Sequence, residues 1–214
     1  MMTTVFVHGL GQAPTAWDSV IEHLPEERSV KCISLPRLTK EQENTYDNLY
    51  ASFERECTQA EESLHLCGLS LGAMLALNYA IRHPERVTDL VLIAPQYKIP
   101  RVLFSVQNTL FRFFPKGAFQ KMGFSKRATL TLVRSMTRID FTSELKKVSC
   151  PVHILCGQKD RVNQKAATQL AQLLPKATMA LIADAGHEAN TDAPEALADA
   201  LRAFWLSTRT ENAF

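Results

Sequence analysis

Ser70, Asp160 and His187 are the residues whose types, surroundings and order along the chain could carry out nucleophilic acyl chemistry. A neutral serine hydroxyl is a poor nucleophile; it needs a base to take its proton and a third group to orient that base. Ser70 stands at the centre of Cys67-Gly68-Leu69-Ser70-Leu71-Gly72-Ala73, between an apolar run, Leu64 to Cys67, and a long helical pattern, Leu71 to Arg82. This strand-to-helix context gives Gly-x-Ser-x-Gly its meaning: a serine on a strained turn, with its hydroxyl aimed away from a sheet. Gly68 and Gly72 lack Cβ atoms and so let the helix pass close to the strand. Alone, the pentapeptide reads equally as a Gly-rich turn with a solvated serine. The flanking elements favour the nucleophile.

His187, in Asp184-Ala185-Gly186-His187-Glu188 after the last strand pattern, is the expected base. Asp160, in Gly157-Gln158-Lys159-Asp160 after the preceding strand pattern, is the expected acid that accepts the Nδ1 proton. Each has an alternative: His187 as a surface histidine, Asp160 as a helix cap, Asp184 as the acid instead. Asp184 lies only three residues before His187 in the same loop approach, which disfavours it. A developing oxyanion needs two donors aimed at one point, and the backbone amides of Leu71 and Leu10 are the candidates. His8 reads as a structural residue orienting the Leu10 loop, and the direction of the Gln12 side chain is open.

The elements that must hold these groups alternate in kind. Thr4 to Val7, Ser29 to Leu35, Leu64 to Cys67, Val87 to Ala94, Pro151 to Gly157 and Thr178 to Ile182 read as strands. Between them, the Trp17–Leu24 segment, Tyr46 to Glu62, Leu71 to Arg82, Asn163 to Leu174 and Pro194 to Leu206 carry helical periodicity. Such alternation predicts an α/β architecture, a mostly parallel sheet flanked by helices, with ligands beyond the carboxyl ends of the strands. Every candidate catalytic group falls at such an end.

One stretch breaks the pattern. Residues 96–140 show helical periodicity without a convincing strand and read as a short inserted lid; residues 1–95 and 141–214 form the core. The insertion holds nine Lys and Arg side chains against one acid, Asp140, and six of the eleven phenylalanines, among them Phe104, Phe111 and Phe114. Two readings stay open. The phenylalanines line an acyl pocket and the cations favour an anionic substrate, or the apolar faces merely dock the insertion and the cations are a solvated surface.

A chain of 214 residues with 46% hydrophobic content suits one sizeable domain, and a formal charge of +2 gives no general push toward nucleic acid or membrane. Five cysteines without CxxC spacing point to reduced thiols, with neither a disulfide framework nor a zinc site. No run reaches the length of a membrane span and no charged leader precedes the first strand, so a cytoplasmic location is expected. The remaining histidines lack metal-ligand spacing, and no phosphate-binding glycine motif occurs; neither metal nor cofactor is expected.

Taken together, His8-Gly9-Leu10-Gly11 followed by Trp17, the Gly68–Gly72 elbow, Gly157–Asp160 and Gly186-His187 resemble the α/β-hydrolase superfamily over nearly the whole chain. The resemblance implies about six mostly parallel strands and a Ser70–Asp160–His187 triad. It also implies action on a small-molecule carboxylic ester or thioester through an acyl-enzyme. Members similar to this chain include esterases, thioesterases, cofactor-free perhydrolases and signal receptors with little turnover, so a receptor and a perhydrolase stay open as alternatives. The two leading antiparallel strands common in the superfamily are expected to be absent.

Overall fold

The computed structural model describes residues 3–25, 29–99 and 124–211. Its strands are β1 (Thr3–Val7), β2 (Ser29–Ile33), β3 (Leu64–Leu69), β4 (Val87–Ile93), β5 (Val152–Gly157) and β6 (Ala177–Ile182). They form one sheet in the order β2-β1-β3-β4-β5-β6, and every neighbouring pair is parallel. The helices are α1 (Asp18–Glu22), α2 (Leu35–Leu38), α3 (Tyr46–Thr58), α4 (Leu71–Arg82), α5 (Lys126–Ser135), α6 (Arg161–Leu173), α7 (Ala189–Asp192) and α8 (Pro194–Glu211).

Period-two alternation divides the strand residues between two cores. Val5, Val7, Leu64, Leu66, Leu90 and Leu92 face one layer with α3, α4 and α6; Phe6, Cys67, Leu69, Val91 and Ile93 face the other, with α1 and α8. β3 is buried at every position, as expected of a central parallel strand covered on both faces. α4 is buried from Leu71 through Ile81, which explains why its sequence is apolar nearly all round. Trp17 is fully buried and packs against Phe6, ring centroids 4.9 Å apart, sealing the sheet on the α1 side.

The sequence reading is altered mainly at element ends. The strand expected to reach Leu35 stops at Ile33, because Leu35-Pro36 opens the single turn α2, where proline suits the first helical positions. The helix expected to reach Glu62 ends at Thr58. Within 96–140 the described parts are α5, a short 3₁₀ turn and an antiparallel bridge between Lys98 and Asp140 that clips the two ends of the stretch together. Phe104, Phe111 and Phe114 lie outside the described residues. Among the described residues, no helix is long and apolar enough to cross a membrane.

A buried polar knot ties the amino ends of the central strands to α8. Asp89 in β4 accepts the Trp205 indole N–H at 3.0 Å and pairs with His65 Nδ1 of β3 at 2.5 Å. It lies at the opposite end of the strands from the candidate site.

Candidate active site

The chain enters the sheet in β1, moves outward to β2, then returns to the other side of β1 as β3. Connections leaving β1 and β3 therefore diverge, and the crevice between their carboxyl ends is where open α/β sheets bind ligands. The loop after β1 carries His8 to Gln12, and the turn after β3 carries Ser70.

Ser70 has φ 54° and ψ −110°, a conformation unfavourable for a residue with a side chain. It persists because the surroundings over-determine it: Ser70 N–H donates to Ile93 O at 2.9 Å, and Ser70 O accepts from Met74 N–H in the first turn of α4. The flanking glycines are obligatory for packing. A Cβ on Gly68 would stand 2.4 Å from Gly72 O, and one on Gly72 would stand 2.2 Å from Val7 O. The elbow is thus a three-way close approach of β1, β3 and α4. Ser70 itself is partly exposed.

Asp160 and His187 leave neighbouring strands. His187 Nδ1 lies 2.8 Å from Asp160 Oδ2; the Asp160 side chain is only 6% exposed and the His187 ring 43%. An ionised carboxylate only accepts hydrogen bonds, so the ring proton is assigned to Nδ1 and the Nε2 lone pair is left to take a proton. Asp160 occupies the N-cap position of α6 but makes no side-chain cap bond. Asp184, at φ 59°, turns into solvent and pairs with Lys159 Nζ at 3.2 Å. The two loops touch closely: a Cβ on Gly157 would meet Gly186 O at 2.0 Å. The structure brings Asp160 and His187 together, and it does not join Ser70 to the ring by a hydrogen bond. In sites without substrate such bonds are commonly long and tighten on binding.

His8 is 1% exposed, donates from Nδ1 to Gly9 O at 2.8 Å and accepts at Nε2 from Leu35 N–H at 3.2 Å. Burial holds its pKa below the ordinary 6.5, against the opposing pull of the Gly9 carbonyl. With both ring nitrogens engaged it shapes the loop and has no lone pair to offer as a base. Burial also pushes the thiols up, to about 12 for Cys57, Cys150 and Cys156, so none of these three competes as a nucleophile near neutral pH.

Sequence reasoning left Gln12 open and missed Asn190, Asn163 and Gln96. Gln12 Nε2 donates to Asn190 Oδ1 at 3.0 Å, Asn190 Nδ2 donates back to Gln12 Oε1 at 3.2 Å, and Gly9 N–H also reaches Gln12 Oε1 at 3.3 Å. This buried amide pair fastens the loop after β1 to the turn that follows His187. Asn163 donates to both Asp160 oxygens, 2.8 Å each, and accepts from Gln96 Nε2 at 2.7 Å. Neither the Gln12–Asn190 nor the Gln96–Asn163 pairing leaves a local signal, because the partners lie 178 and 67 residues apart.

The elbow lies where the strand order reverses, with Asp160 after β5 and His187 after β6. A family profile described as the alpha/beta hydrolase family matches residues 4–200. The chain belongs to that family. Among curated relatives, it is 26% identical to a pimeloyl-[acyl-carrier protein] methyl ester esterase of Nitrosomonas europaea, with 89% of this chain and 90% of the relative covered. It is 22% identical to the human monoacylglycerol lipase ABHD6, covering 97% of this chain and 77% of that one. Among solved structures, MenH from S. aureus superposes with a TM-score of 0.82 at 18% identity, covering 97% and 94% of the two chains. At that identity the match speaks for the fold alone. As a family member the chain has its six described strands parallel throughout, and the elbow, acid and histidine follow β3, β5 and β6.

Proposed function

We propose that this alpha/beta hydrolase cleaves a carboxylic ester or thioester by way of an acyl-enzyme on Ser70. His187 takes the Ser70 proton at Nε2 as Oγ attacks the acyl carbonyl, and Asp160 holds the ring and stabilises the imidazolium. The Leu10 and Leu71 amides receive the oxyanion: Leu71 begins α4, where N–H groups and the helix dipole favour negative charge, and Leu10 lies within the loop held by His8 and Gln12. Collapse expels the alcohol or thiol with the proton returned from His187. Water, deprotonated by the same ring, then releases the acid.

The observation that carries the reading is the combination of a left-handed Ser70 at the crevice with the 2.8 Å Asp160–His187 pair leaving neighbouring strands. Relatives named as esterases and lipases support the same class of reaction. We further take 96–140 as a lid, whose excess of Lys and Arg over acid along the sequence would favour an anionic substrate.

Intact mass after treatment with a fluorophosphonate, together with p-nitrophenyl ester hydrolysis, tests the reading on wild type and Ser70→Ala. One adduct and turnover in wild type, both gone in the variant with a loss on the order of 10⁶-fold, is the expected result. An adduct without turnover of any ester would favour the receptor alternative. An unlabelled, inactive wild type would refute the nucleophile.

A further inference from the structure

Resting on that triad, we infer that Asn163 is a positioning residue for Asp160 and that Gln96 in turn orients Asn163. An aspartate at a helix N-cap ordinarily spends its carboxylate on the backbone N–H groups of the first turn. Asp160 does not: its side chain makes no cap bond, and both oxygens are instead taken at 2.8 Å by the Asn163 side chain one turn on, with Oδ2 shared with His187. The local helix-capping rule yields here to the site, as happens where function sets geometry.

The orientation of the Asn163 amide follows from chemistry. A carboxylate offers only lone pairs, so the NH₂ end must face Asp160 and the carbonyl end must face away. Away from Asp160 stands Gln96, whose Nε2 donates to Asn163 Oδ1 at 2.7 Å. Flipping Asn163 would set oxygen against carboxylate and nitrogen against nitrogen, so the two contacts hold each other in place. Asn163 Nδ2 also lies 3.1 Å from His187 Nδ1. With the ring proton given to Asp160, this is a contact between two donors that both turn toward the carboxylate, not a hydrogen bond between them.

Gln96 is itself aimed by the backbone. It follows Ala94, at φ 47°, and Pro95, in the turn that leaves β4; Ala94 N–H is bound to Leu155 O at 2.8 Å. The next residue, Tyr97, is 2% exposed and its hydroxyl reaches Gln169 Oε1 on α6 at 3.4 Å. Gln96 therefore approaches Asn163 from a rigid base. Asp160 is held from two sides, by the ring it serves and by an amide that draws its own orientation from the turn after β4.

The test compares wild type, Gln96→Leu, Asn163→Leu and the double variant, all in the full chain. Each is read by kcat and KM on a short neutral p-nitrophenyl ester, urea midpoint, and the low-field proton resonance of the His187 Nδ1–H. Asn163→Leu should lower kcat by about 10- to 100-fold with little change in KM, because displacement of the acid reaches the chemical step. The low-field resonance should move or broaden. Gln96→Leu should lower kcat by about 3- to 10-fold, and the double variant should be no worse than Asn163→Leu alone, since Gln96 acts only through Asn163. Multiplying losses in the double variant would overturn the link between the two. A lower urea midpoint with kcat and resonance unchanged would reduce Asn163 to a structural role and overturn the proposal. Should Asn163→Leu fail to fold, Gln96→Leu decides alone: unchanged kcat and resonance refute it. Wild type that takes up no fluorophosphonate identifies failure of the triad itself, and the proposal falls with it; a labelled wild type with unaffected variants isolates failure of the positioning role.

Discussion

Replacing Gly157 by alanine should separate the two loops that carry Asp160 and His187. The new Cβ would lie 2.0 Å from Gly186 O, 2.5 Å from Ala185 O and 2.8 Å from Ala185 C, all backbone atoms that cannot rotate away. Real Cβ contacts stay beyond 3.0 Å, so the Gly186 loop must retreat by about 1 Å. His187 is the next residue and moves with it, stretching a 2.8 Å bond to Asp160. A misplacement of about 1 Å costs roughly 100-fold in rate, or about 2.7 kcal/mol of transition-state stabilisation. Overpacking adds about 1–3 kcal/mol of lost stability, which for a chain of this size lowers Tm by about 2–12 °C. The assay is kcat/KM on p-nitrophenyl acetate beside a thermal melt. Gly186→Ala is the matched control, because its Cβ would meet only the carboxylate tip of Asp192 at 3.0 Å, which can yield; it should lose a small fraction of what Gly157→Ala loses. Equal turnover in Gly157→Ala and wild type would refute the argument. A lower Tm with unchanged turnover would show that loop spacing does not govern the chemistry.

Two further outcomes follow from buried groups. Gln12→Leu leaves the Asn190 amide, fully buried, without its reciprocal partner, and an unsatisfied buried group costs about 1–3 kcal/mol; urea unfolding should show the loss, and kcat should fall as the loop bearing the Leu10 amide loosens. His8 and His153 both have pKa values lowered from 6.5 by burial, so the unfolded chain binds protons that the folded chain refuses. Stability they confer is complete above about pH 6.5 and is lost as pH falls through the folded values. Urea midpoints measured between pH 7.5 and 5.5 should therefore fall, and fall less in His153→Gln.

Much of the architecture was legible from the chain. Strand and helix patterns separate because a parallel strand covered on both faces, such as Leu64–Leu69, must be apolar throughout, whereas α3 shows its buried face at helical spacing through Leu49, Tyr50, Phe53 and Cys57. The elbow was legible for a similar reason: Gly68 and Gly72 have no tolerated alternative where backbones approach within van der Waals distance, so local residue types record the constraint. The end of β2 was misjudged because the run into Leu35 continues the apolar pattern, and the competing influence, Pro36 opening a helical turn, is a single residue.

By itself, then, the sequence determined the α/β architecture and the glycine-flanked elbow at Ser70, since each depends on local backbone sterics and on periodicity within one element. Tertiary structure alone decided that Gln12 closes on Asn190 and that Gln96 holds the carbonyl end of Asn163. Hydrogen bonds between side chains far apart in sequence depend on which strand ends the sheet order brings side by side, and an amide or a carboxylate looks the same in the chain whether it faces solvent or a partner.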